Sequence, residues 1–574
     1  MFYYGAAPES HKTQTDSYRV YKPSCVDGLA KTVSLVSAKR DKAAFQLLLS
    51  SDSAFAVNVG KTPWFSQNPE SKTYRVAVDF PFKAKLSNIG MTLCDDNHHR
   101  ADALLDSEVV EFPANCVNTV FVEFDIPENA DAGDYNGKIK IYESYGFDDE
   151  KEVGAIDISL KVYPYVLPEN KDNGFHLDLW QHLSNIARKH DVPLWSDAHF
   201  EILRPYVRSL GELGVKCVTV IASEIPWNGQ GCQTELRYKA NLFEYSMIPV
   251  TLKKDGKLVC DFSIMQRYID LCAEYGVDEC ISVFGLVNVW DTKEYGGVRT
   301  APDYPDGLHV RAFDEEKGIY VYLHKASELD EYIKQIEKYF IETKQLEKLR
   351  IAADEPADVE AYRKSLEHIK SVAPAFTFKT AINHAEFIGE FGKDISDFAP
   401  YISAMYEQYD ALMKYKSEMP DKRFLYYVCC GPEFPNTFLR SELVESYYIG
   451  ILASYTNMDG FLRWNYTVLT DDPTDIRYGN FPVGDLNFVY PARNGGVLLT
   501  LRWKALRKGI KFFTLFNEAK KRGLKDVYDA ACDLVLREKE IKKLYANWDK
   551  PNVISLDYTD YQKAEALLLE ALSK

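Results

Sequence analysis

The chain has 574 residues, too many for one compact core, and its 46% hydrophobic and 27% charged residues are an ordinary globular balance that argues against a disordered or fibrous class. A formal net charge of −17 repels phosphate backbones and anionic lipid surfaces. Nucleic acid and membrane are therefore disfavoured as partners, and a neutral ligand fits best.

Residues 1–168 predict a β-sandwich domain. The runs 43–49, 119–124, 138–142 and 155–162 are rich in β-branched and aromatic residues, and turn signals such as Asp131-Ala132-Gly133-Asp134 and Asn136-Gly137 separate them. Pro164 and Pro168 punctuate a linker at 162–170. Residues 169–515 predict a (β/α)8 TIM barrel. Strand candidates fall at 175–180, 217–221, 280–286, 349–353, 376–382, 402–406, 424–429 and 460–464, with amphipathic helices at 198–213, 263–275, 329–343, 357–372 and 441–454 among them and 501–512 after the last. Residues 516–574 predict a C-terminal helical segment packed on the outside of the barrel. No Gly-rich phosphate turn follows the first strand, which disfavours an open doubly wound sheet. The connections 222–262 and 287–326 are unusually long, and both leave C-terminal strand ends, where barrel enzymes build their sites.

The eleven cysteines show no C-x-x-C pair or zinc spacing, and Cys429 and Cys430 are adjacent, which disfavours a disulfide between them. Free thiols in a reducing compartment are expected. Met1-Phe2-Tyr3-Tyr4-Gly5 carries no basic and apolar leader pattern, so a cytoplasmic location is expected. H-E-x-x-H, P-loop and G-x-S-x-G patterns are absent; His98-His99 falls in a polar stretch expected at the surface, and neither metal nor cofactor is expected.

The chemistry is carried by Leu349-Arg350-Ile351-Ala352-Ala353-Asp354-Glu355-Pro356, a buried-type strand running into two adjacent carboxylates. Packed together, like charges push their pKa values apart, so one acid stays ionised while the other holds a proton, the division of labour that glycoside cleavage needs. A competing reading makes one acid the cap of a helix opened by Pro356. Neighbours on one strand do not readily flank a sugar ring as the two carboxylates of ordinary retaining glycosidases do. They fit better if the substrate supplies the nucleophile through a 2-acetamido oxygen. Other strand ends predict a neutral, sugar-lining pocket: Trp180, Gln181 and His182; Ser223, Glu224, Trp227 and Asn228; Asn288 and Trp290; Asn383 and His384; Tyr406 and Glu407; and Trp464, Asn465 and Tyr466.

On Leu179-Trp180-Gln181-His182, Val192-Pro193-Leu194-Trp195-Ser196-Asp197, Ala353-Asp354-Glu355-Pro356, Leu462-Arg463-Trp464-Asn465-Tyr466 with Asp471-Asp472-Pro473, and Gly484-Asp485-Leu486-Asn487-Phe488-Val489-Tyr490-Pro491 followed by Leu501-Arg502-Trp503, the chain resembles glycoside hydrolase family 123, the β-N-acetylgalactosaminidases. Ala44-Phe45-Gln46 and residues 132–137 carry a weaker likeness in the N-terminal region. The resemblance implies a sandwich before a barrel and exo-cleavage of terminal β-linked N-acetylgalactosamine from a glycan or glycoconjugate. It implies a retaining, oxazolinium mechanism, with Asp354 orienting the acetamido group and Glu355 as general acid and base. Two alternatives stay open: a retaining enzyme of other specificity using Glu224 or Glu407 as nucleophile, and a non-catalytic glycan binder on the same scaffold.

Overall fold

In the strand Lys151–Val166, Ile156, Ile158, Leu160 and Val162 are buried while Asp157, Ser159 and Lys161 between them are exposed, the period-two pattern of a strand with one face on a core. This computed structural model describes all residues except 16–25, 27, 64, 65, 67, 69, 147, 227–242, 290–298, 470–473, 478–480 and 545–548. Its N-terminal region is mostly sheet. One six-stranded sheet runs in the spatial order Phe2–Pro8, Asp41–Ser51, Val117–Ile126, Lys83–Leu93, His99–Leu104, Gln14–Thr15. The other runs Thr32–Lys39, Lys151–Val166, Gly133–Tyr145, Lys72–Asp79, Phe55–Asn58, Val109–Phe112. Phe45, Leu47, Val120 and Val122 of the first share a core with Val76, Ile139, Ile141 and Ile158 of the second.

The strand Asp41–Ser51 is buried along nearly its whole length because its sheet also packs on the helix Leu501–Lys521. Buried ion pairs set that register: Arg502 on Asp102 at 2.8 Å, Lys504 and Arg507 on Glu123 at 2.8 and 2.7 Å, and Lys511 on Asp41.

The C-terminal region is a nearly closed barrel of eight parallel strands with helices: His176–Leu179, Cys217–Ile221, Cys280–Phe284, Leu349–Asp354, Phe378–Ile382, Ile395–Pro400, Arg423–Tyr427 and Gly460–Arg463. Spatial order follows chain order, and strands one and eight pair in parallel. Strand one meets the chain entering strand two through the Leu177–Val215 bridge, with Lys216 N donating to Leu177 O at 2.9 Å, and meets strand two itself through Gln181. Its side-chain amide accepts from Thr219 N at 2.8 Å and donates to Cys217 O at 3.3 Å, so a side chain does the work of a missing ladder residue.

The sixth strand differs from the sequence reading. It is Ile395–Pro400, and residues 402–406 lie in the helix Ile402–Glu407. Ser396, Asp397 and Pro400 make the true strand look like a turn, whereas Ile402, Met405 and Tyr406 have the i, i+3, i+4 spacing of a helix. Asp397 is tolerated inside because Arg423 reaches it at 3.2 Å and Arg350 at 3.5 Å.

The helices Leu443–Tyr455 and Leu501–Lys521 cross at Gly450 and Gly509. A Cβ at Gly450 would stand 1.8 Å from the Gly509 carbonyl oxygen, so the crossing exists only without side chains there. The last helix, Tyr558–Leu572, lies against the strand Thr32–Lys39, where Gln562 Nε2 donates to Ser34 O at 2.9 Å. The two long connections fold together: Val250–Leu252, Leu258–Cys260, Arg311–Asp314 and Ile319–Tyr322 form one four-stranded sheet beside the barrel mouth.

Candidate active site

Asp354 is the last residue of the fourth barrel strand and Glu355 the first beyond it. Glu355 N still donates to Ala381 O at 2.9 Å, but its φ is +38°, the left-handed region that side chains other than Gly avoid. Strain of this kind is held where the surrounding structure over-determines it. It also breaks strict strand alternation, so the adjacent carboxylates are not forced onto opposite faces. The Glu355 carboxylate reaches the seventh strand, where Tyr427 donates its hydroxyl to Oε1. Burial and then the charge of Glu355 push the Tyr427 hydroxyl far above the usual phenol range, so it remains a donor at any working pH. The Tyr401 ring, just past the sixth strand, packs 5.3 Å from that of Tyr427.

Asn288, past the third strand, donates from Nδ2 to the Asp354 carbonyl. It too has positive φ, at 51°, and is held by Asp306, which accepts from Asn288 N at 2.6 Å and Val289 N at 2.9 Å. Past the eighth strand, Trp464 donates from Nε1 to buried Asp485 at 3.4 Å, and Asp485 pairs with Arg463 at 3.0 Å. Burial raises the Asp485 carboxyl to about 6 against the opposing pull of Arg463. Asn383 and His384 follow the fifth strand and are exposed. Strands three to eight thus bring Asn288, Asp354, Glu355, Asn383, Tyr401, Tyr427 and Trp464 to one end of the barrel.

Other expected lining residues are committed elsewhere. Trp180 is buried and donates to Asp178 at 3.1 Å inside the barrel. Gln181 is the strand staple described above. His182 is buried, its Nε2 3.1 Å from Trp464 O, and desolvation lowers its imidazole to about 4. Beside it Glu244, from the first long connection, is fully buried and raised to about 7 by desolvation. Tyr406 is a correction: residues 402–406, expected as a strand, lie in the helix Ile402–Glu407, where Tyr406 is buried with its hydroxyl bonded to Tyr448, and the sixth strand ends before them at Pro400. Tyr466 is another: its hydroxyl meets Ser209 on the helix Asp197–Leu213 at 2.7 Å, on the outer layer of the barrel. Asn465 accepts from Thr467 N and Val468 N, each at 3.1 Å, and so shapes a turn. Trp227, Asn228, Trp290 and residues 471–473 lie outside the described residues.

Neither alternative nucleophile is well placed. Glu224 is engaged by Arg311 at 2.7 Å and by the Tyr322 hydroxyl, and Glu407 is exposed at a helix end. The capping reading of the acid pair also gives way. The following helix is Val359–Val372, and Asp358 caps it by accepting from Ala361 N at 2.8 Å, so Pro356 does not open it. Among the described residues, the one cluster of three metal-capable groups is Cys94, Asp95 and Asp96 in the N-terminal region, where Asp96 is already paired with Arg100 at 2.6 Å. His99 is buried in the strand His99–Leu104 and not at the surface.

Sequence reasoning missed Tyr401, Tyr427, Asp485 and Glu244 as site residues. Tyr427 lies inside the run 424–429 already read as a strand, which was the available signal, although the strand itself stops at Tyr427; the others depend on contacts between distant segments.

A family model for the glycoside hydrolase 123 catalytic domain matches residues 180–519. The chain belongs to glycoside hydrolase family 123 and is a glycoside hydrolase. A family 123 glycoside hydrolase from Clostridium perfringens, described in terms of glycolipid glycan hydrolysis, shares the fold at a TM-score of 0.75 and 17% identity, over 100% of this chain and 97% of its own. A β-D-glucuronidase from Dictyoglomus thermophilum is similar at a TM-score of 0.28 and 11% identity, over 82% of this chain and 66% of its own, too slight a likeness to bear on the site. Among proteins with curated descriptions, none matches the chain.

Proposed function

We propose that this glycoside hydrolase is an exo-acting β-N-acetylgalactosaminidase with a retaining, substrate-assisted mechanism, built on a (β/α)8 barrel at 169–515 behind a β-sandwich at 1–168 and followed by a helical segment at 516–574. The observation that carries the reading is the single turn Asp354–Glu355, in which a left-handed residue carries one of two neighbouring acids to a tyrosine across the barrel mouth. Two carboxylates from one strand end do not flank a ring, so the substrate's own acetamido oxygen is the better nucleophile.

In this reading Asp354, ionised, accepts from the acetamido N–H and turns its carbonyl oxygen toward the anomeric carbon. Asn288, on the Asp354 carbonyl, positions that residue. Attack closes an oxazolinium ring and breaks the glycosidic bond while Glu355 gives its proton to the leaving oxygen. Tyr427 occupies Oε1, which leaves Oε2 to carry that proton. Glu355 then takes a proton from water, which opens the ring with net retention. Trp464 offers an apolar face to the sugar, and Asn383 and His384 offer polar groups from the neighbouring strand end. The glycolipid chemistry described for the Clostridium perfringens relative supports a glycoconjugate substrate. Among the described residues no helix is long and apolar enough to cross a membrane.

The test is hydrolysis of an aryl β-N-acetylgalactosaminide against the matching β-galactoside. Cleavage of the first alone is expected. Equal cleavage of both would exclude substrate assistance, and binding without turnover of any glycoside would make the protein a glycan binder.

A further inference from the structure

The seventh barrel strand, whose Tyr427 holds Glu355, runs straight into Cys429 and Cys430. Their sulfurs lie 3.8 Å apart. Cys430 is exposed and Cys429 partly so; every other described cysteine is partly or fully buried. The turn is fixed from behind, since Asn436 Nδ2 donates to Cys429 O at 3.1 Å and to Pro432 O at 2.7 Å, and Asn436 Oδ1 accepts from Arg463 at 3.3 Å. It also abuts the site: a Cβ added at Gly431 would stand 2.9 Å from the Tyr401 hydroxyl. The thiols are close enough to Glu355 and Asp485 for those charges to act on Cys430.

We propose that Cys429 and Cys430 form a modification site, a dithiol that captures soft electrophiles able to make two bonds to sulfur, of the trivalent-arsenical class, and that its occupation shuts the glycosidase. The step balances without a redox partner: an organoarsine oxide, R–As=O, and two thiols give R–As(S–)2 and one water. Both S–H bonds and the As–O bonds break, two As–S bonds form, and both protons leave on the oxide oxygen. Cys430 attacks first, being the exposed sulfur. The Cys429 S–H hydrogen bond favours its thiolate and lowers its pKa. Ring closure at Cys429 then crowds the turn against Tyr401 and, through it, Tyr427 and Glu355.

Arsenic bridging both sulfurs gains from the second bond being intramolecular, an advantage of about 10²–10⁴-fold over one thiol. The experiment treats the full-length protein with phenylarsine oxide and follows both intact mass and glycosidase activity. One adduct per chain, loss of activity, and restoration by 2,3-dimercaptopropanol but not by a monothiol of equal thiol concentration are expected. Cys430→Ser and Cys429→Ser should each keep activity and lose the high-affinity adduct. Mass alone reports capture even if the substrate assignment is wrong, and Cys430→Ser, at an exposed position, serves if the Cys429 variant fails to fold. An adduct that persists in Cys430→Ser, no adduct in the wild type, or an adduct that leaves activity intact would overturn the proposal.

Discussion

Tyr427 donates its hydroxyl to Glu355 Oε1 although the two residues leave strands seven and four of the barrel, so one hydrogen bond spans the mouth. It occupies Oε1 and leaves Oε2 as the oxygen that carries the proton in the proposed mechanism. Tyr427→Phe removes a donor to an ionisable group, an interaction worth ~1.5–3 kcal/mol, so kcat/KM should fall about 10- to 100-fold with little change in melting temperature. Parallel assays of kinetics and thermal unfolding check this; an unchanged kcat/KM would remove Tyr427 from the account.

The two acids should separate by leaving group. Glu355→Gln lowers turnover most on glycosides with poor leaving groups, where proton donation matters, and least on activated aryl glycosides. Asp354→Asn lowers it for every leaving group, because ring closure is needed for all. A Brønsted series on both variants reads this, and identical slopes would contradict the assigned roles.

Glu244 gives a pH dependence whose sign is fixed. Burial raises its carboxyl from the usual 4.5 to about 7, so the folded state holds the proton more tightly than the unfolded one. That contribution is fully present below pH 4.5 and is lost as pH rises through 7, a change of ~3 kcal/mol. His182, lowered to about 4, acts in the opposite sense but is common to both proteins compared. Glu244→Gln should therefore gain stability relative to the wild type between pH 5 and pH 8. Urea midpoints at the two values measure it; a difference that does not move with pH refutes it.

Gly450→Ala places a Cβ against the Gly509 carbonyl. The helices must separate, at a cost of ~1–3 kcal/mol for overpacking. A lower denaturation midpoint at unchanged m-value is expected, whereas Ala substitution at Gly28, where a Cβ meets nothing within 4 Å, should be tolerated far better.

Much of the barrel could be read from the chain because a parallel strand buried on both faces is a nearly continuous apolar run, as in Cys217–Ile221 and Cys280–Phe284, each broken only by one small hydroxyl residue, Thr219 or Ser282. Ile395–Pro400 was hidden because its Asp397 is neutralised by arginines 47 and 26 residues away in sequence, which no local pattern announces. The position of Asp354 and Glu355 was legible for the same reason the strand was: the run ends where the charges begin. The lining was less so. Residues just past a strand can turn into the barrel like Trp180, sideways like Gln181 or outward like Tyr466, and only the packed structure decides. Asp485 and Glu244 come from segments already singled out in the sequence, the motif beginning Gly484-Asp485 and the long connection 222–262, but no local pattern says which of their residues is buried against the barrel.

The central claim, that the substrate's acetamido oxygen is the nucleophile, is tested most directly by kcat/KM across aryl β-N-acetylgalactosaminides bearing zero, one, two and three fluorines on the acetyl methyl group. Fluorine withdraws electrons from that oxygen, and the account predicts a steep, regular fall in rate with each one added. A flat series, accompanied by a glycosyl-enzyme trapped on a protein carboxylate, would contradict it.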